Sequence, residues 1–452
     1  MPSRRQFLVA SAASAALSSS AAAAPNGITL RTHEWFGDKL ENFELPPGWH
    51  VTYYHSAGYQ APVLSQQQIA KAILNPVGSK PLREIAAGKT TAAIAVDDMA
   101  RATPSFEVVP HLVAELNAAG IQDENILFVV AHGCHDHVNQ MEMANKIGVE
   151  AVRRHPWINH NAWENLVDLG ATKAGNQVQA DVNFYSADVK ITVSGLKRHG
   201  TPGYSGGPKL CLPGLSGVKT IRYMHNTIKQ AARPRTDGNG REIFHIFENE
   251  ARQDMIETAR LMGVDFSVQL CLNEDRKLVK VVAGDIVKAH HEACRYAVPA
   301  NSTVFAKNAD IIIANCYPRG AQMHECFSFA NAGIKDGGSA VLINQYPLGE
   351  LVWHYNDQVQ FFQNGKSNYF KARAARRSRY SRLGQLMLYS QYLQQRELSD
   401  PSVPPETIGC RVWEEVVARL QKKHTGGNVE VAVYPAAGLQ HAVATHDIPA
   451  DA

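Results

Sequence analysis

His199, Lys209 and His225 follow one another at intervals of ten and sixteen residues within Ser194 to Asn226, SGLKRHGTPGYSGGPKLCLPGLSGVKTIRYMHN. Histidine accepts and donates protons near neutral pH, so His199 is a candidate acid–base group. Lys209 is open to two readings. Buried beside a cation, a lysine loses its proton and becomes a nucleophile; on a glycine-rich turn it also binds anions. Imidazole ligates nickel, zinc and copper alike, so His225 as a ligand leaves the metal open. The glycines around Gly206 and Gly207 let the backbone come close to a bulky group, and Pro202, Pro208 and Pro213 stiffen it. Such a loop holds reactive side chains against a cofactor.

Two further motifs lie upstream. AHGCHDH, Ala131 to His137, packs His132, Cys134, His135, Asp136 and His137 together, and zinc is one reading of it. Closed zinc sites favour wider spacing, and successive residues of a strand point to opposite faces. DDMARATP, Asp97 to Pro104, sets Asp98 and Arg101 three residues apart. That spacing gives a local ion pair on a helix, or a guanidinium turned to a phosphate.

This set, in this order, resembles the nickel-dependent lactate racemase family. HPWINHNAWENLVDLG, His155 to Gly170, and VAVYPAAGLQH, Val431 to His441, extend the likeness over nearly the whole chain after its first residues. The resemblance implies a nickel pincer nucleotide (nickel pyridine-3,5-bisthiocarboxylate mononucleotide), covalently tethered at Lys209 with nickel ligated by His225. By the same resemblance His135 and His199 are the two acid–base histidines, and Asp98 and Arg101 hold the nucleotide part. The implied reaction inverts the stereocentre of a 2-hydroxy acid. Its carbinol C–H is not acidic but can leave as hydride while a base takes the hydroxyl proton. Returning the hydride to the opposite face then calls for a second base.

The sequence departs from the family where the substrate is held. In CYPRGAQMHECFSFANAG, from Cys316, the family's tyrosine, glutamine and lysine become His324, Glu325 and Ser328. The cation that would bind a carboxylate is missing, and Glu325 would repel one. The expected substrate is therefore not lactate but a more polar 2-hydroxy acid or a sugar acid, with Arg198 or Arg319 supplying the charge. The rival reading is an exported ligand-binding protein of the same fold that has lost catalysis.

The elements that must position these residues are legible as alternating patterns. TAAIAVDD, PHLVAELNAAG, NILFVVAHG and NQMEMANKIG read as strand, helix, strand, helix. Asp98 and His135 then fall just beyond strand ends, where open parallel sheets gather ligands. A second series begins near Lys277 with KLVKVVAGD, AHHEACRYAV, NADIIIANCYP and GGSAVLINQYP, and returns late with NVEVAVYPA. The expected fold is α/β, with two domains of mainly parallel sheet flanked by helices and the active site in the cleft between them. The expected partition is 1–24 as an export signal, 25–275 as the cofactor-binding and catalytic domain, and 276–452 as the second domain. The basic run KARAARRSRYSRLGQ, leading into LMLYSQYLQQRE, reads as a solvated helix face.

MPSRRQFLVASAASAALSSSAAAAP carries the arginine pair Arg4 and Arg5 before a weakly apolar, alanine-rich stretch. This is a signal of the twin-arginine type, implying a periplasmic or otherwise exported protein without stable membrane insertion after cleavage. That route carries folded proteins, in keeping with loading by cofactor-biosynthesis enzymes before export. Removing the two arginines lowers the formal net charge from +3 to +1, which gives no electrostatic case for nucleic acid. Seven cysteines without a CxxC pair leave at least one thiol free and spell out no disulfide framework.

Overall fold

The computed structural model describes residues 27–230, 235–236, 242–351, 362–363, 366–367, 380, 382–400 and 403–449. The segment expected to be an export signal and most of the basic run lie outside the described residues. Two six-stranded sheets organise the chain. The first runs, in spatial order, Leu278–Gly284, Phe266–Leu272, Val189–Gly195, Ala92–Val96, Ile126–Val130 and Trp157–Asn159. Its pairings are parallel except that Leu278–Gly284 lies antiparallel to Phe266–Leu272. The second runs Ile408–Cys410, Gln385–Tyr389, Ile334–Ile343, Ala309–Asn315, Val429–Tyr434 and Trp49–Tyr53, all parallel.

The central strands are apolar on both faces because both faces are covered. Ala92, Ile94 and Val96 join one core cluster of the first sheet while Ala93 and Ala95 join another. Ile312 and Ala314, against Ile311 and Ile313, do the same in the second sheet. Helices such as Val109–Ala118, Gln140–Ile147, Glu250–Met262, Lys288–Ala300 and Trp413–Lys423 fill the layers. No helix among the described residues is long and apolar enough to cross a membrane. All seven cysteines are buried and free.

Sheet membership departs from chain order at both ends of the first half. Trp49–Tyr53 completes the second sheet beside Val429–Tyr434. Leu278–Gly284, expected to open the second series, hairpins back onto the first sheet. A division after residue 275 falls between the two strands of that hairpin. LMLY, expected on a helix face, is instead the buried strand Gln385–Tyr389, a short apolar run between Gly384 and Ser390 that pairs with Ser339–Ile343.

Candidate functional site

The site forms at the strand ends of the first sheet, and the cavity is lined from residues 97–214 alone rather than from both sheets. Asp97 and Asp98 follow Ala92–Val96, His132 and His135 follow Ile126–Val130, and Ser194 and Gly195 end Val189–Gly195. A cavity here is lined by Asp98, Arg101, His132, His135 and Lys209, with Gly206 and Gly214 at its wall. His199 and His225 are not among its lining residues. Both feel the Lys209 charge all the same, after burial itself, as a force against their protonation.

Asp98 and His135 form a dyad. His135 Nδ1 lies 2.5 Å from Asp98 Oδ2, and Asp98 Oδ1 accepts from the Ala100 amide at 3.0 Å. Burial works against the Asp98 charge, but His135, Arg101 and Lys146 outweigh it and hold the carboxyl below the usual carboxylate range. An ionised Asp98 can only accept, so His135 Nδ1 is the donor of this pair. Arg101 turns elsewhere: its Nη1 donates to Gln322 Oε1 at 2.6 Å, across to the second half of the chain.

Beneath this dyad lies a network the sequence did not announce. Asp97 accepts from Lys146 Nζ at 2.9 Å, Thr103 Oγ1 at 2.6 Å and the Gly195 amide at 3.0 Å. Lys146 Nζ also donates to the Arg101 carbonyl at 2.9 Å. Its helix begins at a capping box in which Asn139 and Glu142 satisfy each other's amides, which brings Lys146 round under the site. The amphipathic run NQMEMANKIG made that helix legible, and Asn-x-x-Glu at its start could have marked the cap, but nothing local marks Lys146 as buried.

The glycine-rich loop is anchored on both sides. Arg198–His199 pairs antiparallel with Gly203–Tyr204, and His199 Nδ1 accepts the Thr201 amide at 3.2 Å. The neutral His199 ring therefore carries its proton on Nε2, and burial, then Lys209, push its proton affinity well down. Lys209 follows on the short 3-10 turn Gly207–Leu210, where burial, with Arg101 adding, depresses the ammonium well below its ordinary value. His225 lies on the helix Val218–Asn226 and donates Nδ1–H to the Ile221 carbonyl at 2.9 Å. Burial lowers its value to about 3, so it is neutral with its lone pair on Nε2.

In the second half, Glu325 bridges two cations: its Oε2 accepts from Lys197 Nζ and, at 2.7 Å, from Arg319 Nη1. Burial opposes its charge, yet Arg319 and Lys197 hold it well below the ordinary carboxylate value. The expected repulsion of an anion by Glu325 is thus answered within the site. Arg319 Nε also donates to the Ala100 carbonyl at 3.1 Å, next to Arg101. Arg198 instead places its guanidinium 5.7 Å from the Phe244 ring and is not a cavity residue. His324 Nδ1 meets the buried Glu350 at 2.9 Å; burial disfavours the imidazolium, but Glu350 overrides it and raises the value. Ser328 is exposed and donates to the Glu325 carbonyl at 2.9 Å.

Residues 36–237 match the lactate racemase N-terminal domain family. The lactate racemase of Lactiplantibacillus plantarum is 29% identical over 296 residues, 64% of this chain and 68% of that protein. Over these residues the chain is similar to the lactate racemases. The lactate racemase of Thermoanaerobacterium thermosaccharolyticum is 27% identical over 64% of this chain and 67% of its own length. The solved lactate racemase apoprotein of T. thermosaccharolyticum covers 92% of the chain and 99% of its own with a TM-score of 0.67 at 20% identity. A Thermotoga maritima protein covers 87% of the chain and all of its own with a TM-score of 0.57 at 13% identity. These two likenesses carry the fold. No cluster of three or more His, Cys, Asp or Glu side chains among the described residues is placed to hold a metal ion.

Proposed function

We propose that the protein is a racemase or epimerase that inverts the carbinol centre of a polar 2-hydroxy acid or sugar acid, using a nickel pincer nucleotide tethered at Lys209. The observation that carries this reading is the placement of Lys209 in one cavity with the Asp98–His135 dyad, where its ammonium is disfavoured.

The residues fit such a group. A tether needs an amine that gives up its proton readily, and desolvation, with Arg101 adding, depresses the Lys209 ammonium well below its ordinary value. A phosphate needs a nearby cation, and Arg101 lines the same cavity. A nickel ligand needs an imidazole lone pair, and the Ile221 carbonyl fixes that of His225 on Nε2. His132, buried at the cavity with both ring nitrogens unpartnered, adds a polar group that a ligand would satisfy. When bound, the group would supply an electrophilic ring able to take up and return the carbinol hydrogen as hydride.

The chain's own side chains supply proton transfer. His135, when its ring is neutral, takes a hydroxyl proton at Nε2, and Asp98 stabilises the imidazolium that results. His199 is the second acid–base group: it gives a proton to the oxygen only after it has itself been protonated, and returns to the neutral ring on doing so. Lys197, Arg319 and Arg101 more than offset Glu325, so an anionic substrate meets net positive charge. The arginine-pair leader supports export of the folded, loaded protein to the periplasm.

The test is inversion. Protein co-produced with the cofactor's biosynthetic enzymes is given single enantiomers of lactate, glycerate and gluconate, and optical inversion is followed. The expected result is inversion of a polyhydroxy acid in preference to lactate, abolished by His135→Ala and by His199→Ala. Ligand binding that survives both changes, with no inversion by the wild type, would favour the binding-protein reading.

A further inference from the structure

Arg252 is a fully buried guanidinium with no carboxylate paired to it among the described residues. A buried cation is costly without compensation, so its surroundings must explain it. They do so with backbone carbonyls of one loop: Nη1 donates to Gly206 at 3.3 Å, and Nη2 to Pro202 at 3.3 Å and to Tyr204. Three residues earlier, Asn249 Nδ2 donates to the Thr201 carbonyl at 2.9 Å while its Oδ1 caps the Arg252 amide at 2.8 Å. The first turn of the helix Glu250–Met262 therefore takes up carbonyls along the whole turn between His199 and Lys209. From the helix Lys288–Ala300, His290 Nε2 meets the Ser205 carbonyl at 2.9 Å, and its ring lies 2.7 Å from where a Cβ on Gly207 would stand.

We propose that Arg252, seconded by Asn249, is the positioning residue of the lysine loop, holding its carbonyls inward so that Lys209 stands in the cavity beside Asp98 and His135. Nothing local in the sequence ties position 252 to the loop, since the contact spans 46 to 50 residues. The arrangement also sets the company Lys209 keeps. Arg101 and Asp98 face it from the first sheet, Glu325 from the second half, and Arg252 from beneath. His199 and His225 feel its charge in turn, and His135 lies across the cavity. Loss of the clamp would release Lys209 toward solvent and remove one buried cation at the same time. Both changes raise its affinity for a proton.

The proposal rests on Lys209 being the reactive lysine of the proposed function, but its test needs no cofactor. Unloaded full-length protein is acetylated with an N-hydroxysuccinimide ester across a pH series. Labelling of Lys209 is read by peptide mass against the exposed Lys173 as internal reference. In the wild type, Lys209 should reach half-maximal labelling below Lys173 by about one pH unit or more, a tenfold difference in free amine. Arg252→Gln should move Lys209 to or beyond the Lys173 profile, with Arg252→Lys in between. Asn249→Asp keeps the helix cap but loses the donor to Thr201, and should shift Lys209 in the same direction. It decides the matter if Arg252→Gln does not fold. Lys209 profiles that coincide in wild type and folded variants would overturn the proposal. Intact mass of the loaded wild type judges the tether separately.

Discussion

Asp98 sits between two tasks, and the geometry assigns it to one of them. The resemblance sets it with Arg101 on the nucleotide, whereas its Oδ2 is 2.5 Å from His135 Nδ1 and Arg101 reaches to Gln322. Asp98→Asn should therefore lower kcat by about a hundredfold to ten-thousandfold by misorienting the imidazole and removing the charge that stabilises its protonated form. Nickel content and intact mass of the loaded protein should stay as in the wild type. Loss of loading with kcat per loaded site unchanged would return Asp98 to the nucleotide. His135, His199, Lys209 and His225 were legible because each sits in or near a glycine-marked turn whose residue types announce chemistry. Lys146, Gln322, Glu350 and Arg252 were not, because their roles arise from contacts made by folding alone.

Elements carry these residues by their ends, and the second sheet's ends are tied to the first half by buried groups. Glu34, just after the strand Gly27–Thr32, accepts the Gly320 amide at the start of the segment that holds His324 and Glu325. Burial raises its carboxyl from 4.5 to about 8. A carboxyl whose folded value lies above its unfolded one holds its proton more tightly when folded. Stability is then lost as pH rises from the unfolded value toward the folded one. Glu34→Gln keeps the acceptor without the charge, so its thermal midpoint should fall less than that of the wild type between about pH 5 and about pH 8. Parallel curves for the two proteins would contradict this. The strands themselves were legible as apolar runs, but their partners were not. KLVKVVAG reads the same whether it hairpins onto Phe266–Leu272 or opens a new sheet, since periodicity records burial and not the neighbour. Likewise Trp49–Tyr53, an edge strand of alternating burial, gives no hint that it pairs with Val429–Tyr434.

The whole molecule is stitched across its middle. Ala321, Tyr346 and Leu439 join the core of the first sheet, the second sheet takes its edge strand from residues 49–53, and Asn315 Nδ2 donates to the Arg31 carbonyl at 2.7 Å. The two sheets should therefore unfold together, and calorimetry of the full chain should show one transition. Residues 25–275 and 276–452 expressed separately should fail to give two folded domains, as each lacks strands that complete its sheet. Two resolved transitions would show the sheets to be independent. If this frame presents Lys209 to a nickel nucleotide, as proposed, the tether should be visible in the intact mass and nickel content of the loaded protein. The protein would be co-produced with the cofactor's biosynthetic enzymes, with Lys209→Ala alongside. An added nucleotide mass with nickel, both lost in Lys209→Ala, is the predicted result; an unmodified wild-type mass under conditions that load a known lactate racemase would contradict it.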